Sequence, residues 1–153
     1  MNINDLSKPF DANKISWRVG ATTKDKKKGI ALAYIDARDA MERLDECLGV
    51  ANWQSKYPWS DGGRIVCEIG VKIDQEWVWK ANGAGSTQVE ADKGAFSDSF
   101  KRACVLWGIG QYLYDVPNIW MPLNEYKAFT DDTKKELTKR LAAWQVNYFK
   151  GKS

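Results

Sequence analysis

A chain of 153 residues is long enough for one domain with a real core, and 23 basic against 20 acidic residues leave a formal charge of +3, too small an excess to identify a nucleic-acid binder by itself. Histidine is absent, which excludes a histidine-based triad and histidine metal ligands. The odd, widely spaced Cys47, Cys67 and Cys104 lie among apolar neighbours and read as buried free thiols of a reducing compartment, not as a disulfide framework or a zinc site. No apolar run reaches membrane-spanning length, and the polar start MNINDLSKPFD has no signal-peptide core, so an intracellular soluble protein is expected.

The stretch ISWRVGA alternates Ile15, Trp17 and Val19 with Ser16 and Arg18, the period of a half-buried strand, and turns Arg18 to the face opposite Trp17. After the loop TTKDKKKG, IALAYI over residues 30–35 supplies a second strand, so the two make a hairpin whose connection carries Lys24, Lys26, Lys27 and Lys28. With Lys14 and Arg18 these cations face Asp25 alone, which makes the segment locally strongly positive and gives the first pointer to a polyanion.

From Asp36 the period becomes helical. Ala37, Met41, Leu44 and Leu48 share one side, with Ala40 and Cys47 beside them, and Asp39, Glu42 and Glu46 populate the other. Asp36 stands as an N-cap and Gly49 where a left-handed C-cap belongs, which predicts a helix over 36–48.

NWQSKYPW reads as an aromatic strand ended near Pro58 and followed by a turn at SDGG. Ile65, Cys67, Ile69, Val71 and Ile73 then alternate with Arg64, Val66, Glu68, Gly70 and Lys72, the cleanest strand signal in the chain. A tight turn at Asp74-Gln75, not a favoured turn pair, would bring back EWVWKA with Trp77 opposite Lys72 and Val78 opposite Val71. One face of that sheet is aliphatic; the other carries Trp77, Trp79, Lys72 and Glu68, and is either covered by another element or used for binding.

NGAGSTQVEADKG lacks the terminal Lys-Ser/Thr of a phosphate-binding loop and reads as a flexible connection into the main helix, residues 94–107. At about 100° per residue, Phe96, Phe100, Ala103 and Trp107 form a narrow stripe with Ser99, Cys104 and Leu106 at its flanks. Lys101 and Arg102 stand on opposite shoulders of the remaining face, with Asp98 and Val105 between them. These cations are off the core, as a solvated helix face or as a ridge turned to phosphates; Val105, apolar on a polar face, marks a candidate subunit contact. Gly108 and Gly110 stop the helix, DVPNIWMPLNEY with its two prolines is expected to be an irregular packed strap, and Leu137, Leu141, Trp144 and Tyr148 predict a surface helix over 131–149.

No catalytic constellation emerges. Asp36, Asp39, Glu42, Asp45 and Glu46 gather on or near one helix, but Glu42 and Glu46 lie opposite Leu44 and Leu48, the pattern of a solvated face; a divalent-metal site is the alternative. The contact reading has more material, because eight tryptophans and six tyrosines offer flat platforms for bases, although most must serve the core.

Three stretches, NKISWRVG, AYIDARDAMERLDECLGVANWQ and GAFSDSFKRACVLWGIGQYLY, in this order resemble the N-terminal annealing domain of the Rad52 family, especially its compact bacteriophage and bacterial members, over roughly residues 7–114. The resemblance implies an α+β fold whose β-β-β-α core packs an antiparallel sheet against a long helix, here in one domain spanning the chain. It also implies an oligomeric ring, a positively charged groove that holds single-stranded DNA with its backbone inward, and annealing of complementary strands without ATP, so that the protein is not an enzyme and needs no cofactor. On the matching motifs Arg18, Lys101 and Arg102 become the primary backbone contacts. Tyr34 matches an aromatic linked to DNA binding, with packing as the other role open to it. Lys24, Lys26, Lys27 and Lys28 offer charge for a second, outer DNA site without matching one residue by residue. Val105 departs from the family, since some relatives carry a basic residue there. The long partner-binding extension of eukaryotic members is not expected. Implied partners are single-stranded DNA, further copies of the chain, and an SSB protein or exonuclease of host or phage, with no membrane, in the cytoplasm of a bacterial host cell if phage-encoded. The alternatives are a protein that protects single strands or DNA ends with little annealing, a metal-dependent nuclease built on the acidic residues, and a purely structural oligomer.

Overall fold

The computed structural model describes residues 2–61, 64–84 and 91–151, so the expected glycine turn at 62–63 and residues 85–90 of the connection lie outside the described residues. In chain order the elements are β1 Ser16–Thr22, β2 Lys28–Tyr34, α1 Ala37–Leu48, β3 Trp53–Asp61, β4 Arg64–Ile73, β5 Glu76–Ala84, α2 Ala91–Leu106, β6 Ile119–Pro122 and α3 Asp131–Lys150. The class is α+β, with two antiparallel three-stranded sheets ordered β1-β2-β6 and β3-β4-β5. The chain divides into two units: Met1–Lys8 with Asp36–Gln111, and Pro9–Ile35 with Tyr112–Ser153.

The first unit holds the expected β-β-β-α core. Ile65, Cys67, Ile69 and Val71 of β4 are buried on the side of the sheet that receives α2. The hairpin register is the predicted one, Lys72 with Trp77 and Val71 with Val78. Asp74 and Gln75 make the turn with φ of +52° and +73°, a mirror-image turn that two residues without glycine adopt only because burying the β4 side chains fixes the register. Strand β3 does not stop at Pro58. It continues to Asp61 through an irregularity between Lys56 and Trp59, and as an edge strand it tolerates a residue with no N–H at that point.

Helix α1 begins with a capping box, in which Asp36 Oδ1 accepts from the Asp39 amide at 2.8 Å and Asp39 Oδ2 accepts from the Asp36 amide at 3.3 Å, and Gly49 closes it at φ +90°. Its buried side is Ala40, Leu44 and Leu48, and Met41, expected with them, is 40% exposed. Helix α2 starts at Ala91, three residues before the expected start, and buries Ala95, Ser99, Phe100, Ala103 and Cys104. Phe96 and Leu106, expected on or beside the stripe, are exposed: Phe96 meets the edge of Tyr57, ring centroids 5.0 Å apart, instead of entering the core. The end of α2 is tied down by Trp107, whose indole N–H donates to the Ile69 carbonyl at 3.1 Å while the Lys80 ammonium lies 4.4 Å from its ring centre. At 16 residues α2 is an ordinary helix, shorter than the 20 of α3. All three thiols are free; burial raises Cys67 to about 11 and pushes Cys104 higher still.

The second unit is built on the predicted β1-β2 hairpin, with Ser16 opposite Tyr34, Trp17 opposite Ala33 and Arg18 opposite Leu32. The strap after Tyr114 is not wholly irregular: Ile119–Pro122 pairs with β2 as β6, Gly29 opposite Met121. Four residues are too few for a readable alternation, and Pro122 sits at the strand end, where its missing N–H does least harm. Helix α3 is capped by Thr130, carries Asp131 and Asp132 in its first turn, and buries Leu137, Leu141 and Gln145. Here the aromatics serve the core. The Phe10 amide donates to Tyr112 Oη at 3.0 Å, Tyr112 Oη to Gln145 Oε1 at 2.8 Å, and Gln145 Nε2 to the Phe10 carbonyl at 3.0 Å, a closed ring of buried polar groups.

Candidate nucleic-acid interface

On α2, Lys101 and Arg102 precede the buried Ala103 and Cys104 and are themselves half-buried, outside the core stripe as the period predicts. Arg102 Nε lies 3.5 Å from Asp98 Oδ1, one turn earlier, with the two side chains 33% and 51% exposed. An ion pair this open contributes about 0.5 kcal/mol or less, so Asp98 lowers the positive potential of this face without locking the guanidinium. Val105, on the same face, is half-buried.

The second unit carries the other expected contacts. Opposed residues in a sheet share a face, so Ser16, Arg18, Leu32 and Tyr34 lie on one face of the hairpin, with Arg18 exposed and Tyr34 half-buried. Ser16, Trp17 and Tyr34 line an open groove of about 400 Å³ together with Lys134, Lys135 and Thr138 of α3. Trp17 links the groove's two walls, its indole N–H donating to Thr138 Oγ1 at 3.4 Å. Lys134 and Lys135 are not legible as site residues in the sequence. Their signal was the pair of adjacent lysines in the first turns of α3, which acquires meaning only when that turn is laid beside Tyr34.

Lys24, Lys26, Lys27 and Lys28 are exposed in and beside the hairpin connection. The connection is ordered around Asp25, whose Oδ1 accepts from the Thr23 hydroxyl at 2.7 Å and from the Lys27 amide at 3.0 Å, with Lys26 at φ +59°. The Thr23 hydroxyl first, then the Lys27 amide, hold the Asp25 carboxyl below its usual range. Four lysines less Asp25 leave three net positive charges at the hairpin tip, four residues or about 13 Å along β1 from Arg18. Arg18 and Tyr34 are thus brought together, the lysine tip lies apart from them, and Lys101 with Arg102 belongs to the other unit.

Among the described residues no three histidine, cysteine, aspartate or glutamate side chains gather as metal ligands. Three of the acidic candidates already accept hydrogen bonds, Asp36 and Asp39 in the capping box and Asp45, whose Oδ1 accepts from the Trp53 indole at 2.7 Å. Among the described residues a metal-dependent nuclease therefore has no site to build on, and no helix is long and apolar enough to cross a membrane.

A family model described as Rad52/22 family double-strand break repair protein matches residues 3–131. Two relatives carry the description single-stranded DNA-binding protein DdrA. The one from Deinococcus deserti is 33% identical over 135 residues, which is 83% of this chain and 65% of the relative. The one from Deinococcus radiodurans is 32% identical over 128 residues, 78% of this chain and 60% of the relative. The chain therefore spans less than two thirds of the length of either. No solved structure gives a significant match.

Proposed function

The chain belongs to the Rad52/22 family of double-strand break repair proteins, and from that premise we propose that it binds single-stranded DNA and anneals complementary strands without ATP, in recombination and repair. The observation that carries the reading is the adjacent Lys101 and Arg102 on a helix fixed to its sheet by Phe100, Ala103, Cys104 and the Trp107–Ile69 bond. Cations held off the core on a rigid support neutralise phosphates whatever the sequence, and leave base edges unread by protein and open to a complementary strand. Arg18 and Tyr34 offer a backbone contact and a stacking surface on one face of the hairpin, and the lysine tip offers charge for a second strand. The relatives' description as single-stranded DNA-binding proteins supports the ligand.

Each chain carries a formal charge of only +3, so tight binding calls for many copies on one strand. A ring of chains, with Val105 at a contact between copies, meets that need. The protein works where the cell keeps its DNA, a reducing compartment that suits three free thiols. The second reading, protection of single strands with little annealing, is favoured by the relatives' description, which names binding alone.

Binding is tested by fluorescence anisotropy with a labelled strand and its duplex, without ATP, across a salt series. The strand is expected to bind more tightly than the duplex, and log K to fall with log salt by about 0.7 for each phosphate neutralised. Equal affinity for both forms, or no salt dependence, would contradict the reading.

A further inference from the structure

The face of the β3-β4-β5 sheet turned away from α2 departs from the polar alternation that water-facing antiparallel sheets show. Its register places Trp59 beside Val66, Trp77 beside Lys72, Trp79 beside Gly70, and Lys56 beside Glu68. Trp59 and Trp77 are 48% and 38% exposed. Trp79 lies flat on β4 because Gly70 has no side chain: a Cβ there would meet three atoms of the indole at 2.9 Å. The Lys56 ammonium sits 4.4 Å from the Trp79 ring centre. Trp77 stands next to it, centroids 6.2 Å apart and planes 33° from parallel. The result is a fixed aromatic platform with lysines at its edges, Lys56 on one side and Lys72 on the other.

We infer that this face is a further surface for single-stranded nucleic acid, on which bases stack against Trp77 and Trp79 while Lys56 and Lys72 take the adjoining phosphates. The inference rests on the proposed handling of single-stranded DNA and adds a site on different residues from Arg18, Tyr34, Lys101 and Arg102. Flat rings held in place stack on any base without reading sequence, and a cation already resting on an indole can move to a phosphate while the ring receives the base. Charge argues for this occupant over a second copy. If the face met itself across a two-fold axis, Lys56 and Lys72 of both chains would be buried together with Glu68 as the carboxylate between them, while Arg64 and Asp61 at the strand end oppose one another in register. A polyanion pairs with the lysines instead.

The test is the affinity of Trp77→Leu/Trp79→Leu and of Trp77→Phe/Trp79→Phe for an oligothymidylate of about 30 nucleotides, with molecular mass followed by light scattering. Leucine keeps apolar area and removes the flat ring, so the leucine variant is expected to bind about tenfold more weakly and the phenylalanine variant within about threefold of wild type, at unchanged mass. Wild-type affinity in the leucine variant overturns the inference; a fall in mass alongside the loss assigns the face to contacts between copies and overturns it too. Loss of binding in Lys101→Ala/Arg102→Ala beside normal binding in the leucine variant would sink this inference and leave the proposed function standing. No binding by wild type would sink both. Should the leucine variant fold poorly, photo-crosslinking of wild type to an oligonucleotide bearing 5-iododeoxyuridine decides: crosslinks in the peptide spanning Trp77 and Trp79 support the platform, and crosslinks confined to other peptides overturn it.

Discussion

Replacing Lys101 and Arg102 together with alanine is expected to weaken binding of a single strand at least about 100-fold while the oligomeric mass stays that of wild type. Hydrogen bonds to charged groups are each worth about 1.5–3 kcal/mol, so losing two phosphate contacts per chain removes roughly 3–6 kcal/mol before any gain from repetition along the strand is counted. The slope of log K against log salt should become shallower by about 1.4, the share of two phosphates on a single strand. Stability should change by about 1 kcal/mol or less, because both side chains are half-buried outside the buried stripe and the Arg102–Asp98 pair is part-exposed. Asp98→Asn should act in the opposite direction, tightening binding a few-fold, since it removes a carboxylate that shares the face and draws on the guanidinium. A double variant that binds as wild type does would remove this pair from the interface.

Phe100→Ala is expected to do the reverse, lowering the free energy of unfolding by about 3–5 kcal/mol. Phe100 is 2% exposed and its ring lies 6.0 Å from that of Trp53, between α2 and the sheet. Removing it leaves a cavity among Ala103, Cys104 and the inner face of β4, none of which can collapse far while Trp107 holds the helix end to Ile69. A loss of that size is a large part of the 5–15 kcal/mol that typically holds a domain together, and it should appear as a lower urea midpoint at unchanged m. In the cold, where the variant stays folded, DNA affinity should remain close to wild type, because α2 still carries Lys101 and Arg102. A shift below about 1 kcal/mol would mean that the ring does not seat the helix.

The contrast between these two variants shows what the pattern of residues makes legible. Ten alternating residues in β4 specify a face, a register and the turn after it, even though Asp74-Gln75 is a poor turn pair, because slipping by one residue would expose Ile65, Cys67, Ile69 and Val71 together. The same period places Lys101 and Arg102 off the core. Periodicity gives a direction, however, and says nothing of whether a neighbour is waiting there: Phe96 meets the ring of Tyr57 yet stays 45% exposed, and Met41 and Leu106 stay exposed too. Strand β6 is invisible locally because its partner, β2, lies some 90 residues earlier in the chain. The groove beside Tyr34 is hidden for the same reason, since Lys134 and Lys135 reach it only through the packing of α3 on Trp17. Arg18 beside Tyr34, by contrast, follows from the hairpin register alone.

Annealing itself is the most direct measure of the central claim. Two complementary oligonucleotides labelled with a donor and an acceptor dye are mixed without ATP, with wild-type protein, with Lys101→Ala/Arg102→Ala, and with no protein. Wild type is expected to bring the strands together well above the spontaneous rate, and the double variant to fall to near that rate. Pairing no faster with wild type than without protein, at concentrations that saturate the strands, would contradict the account.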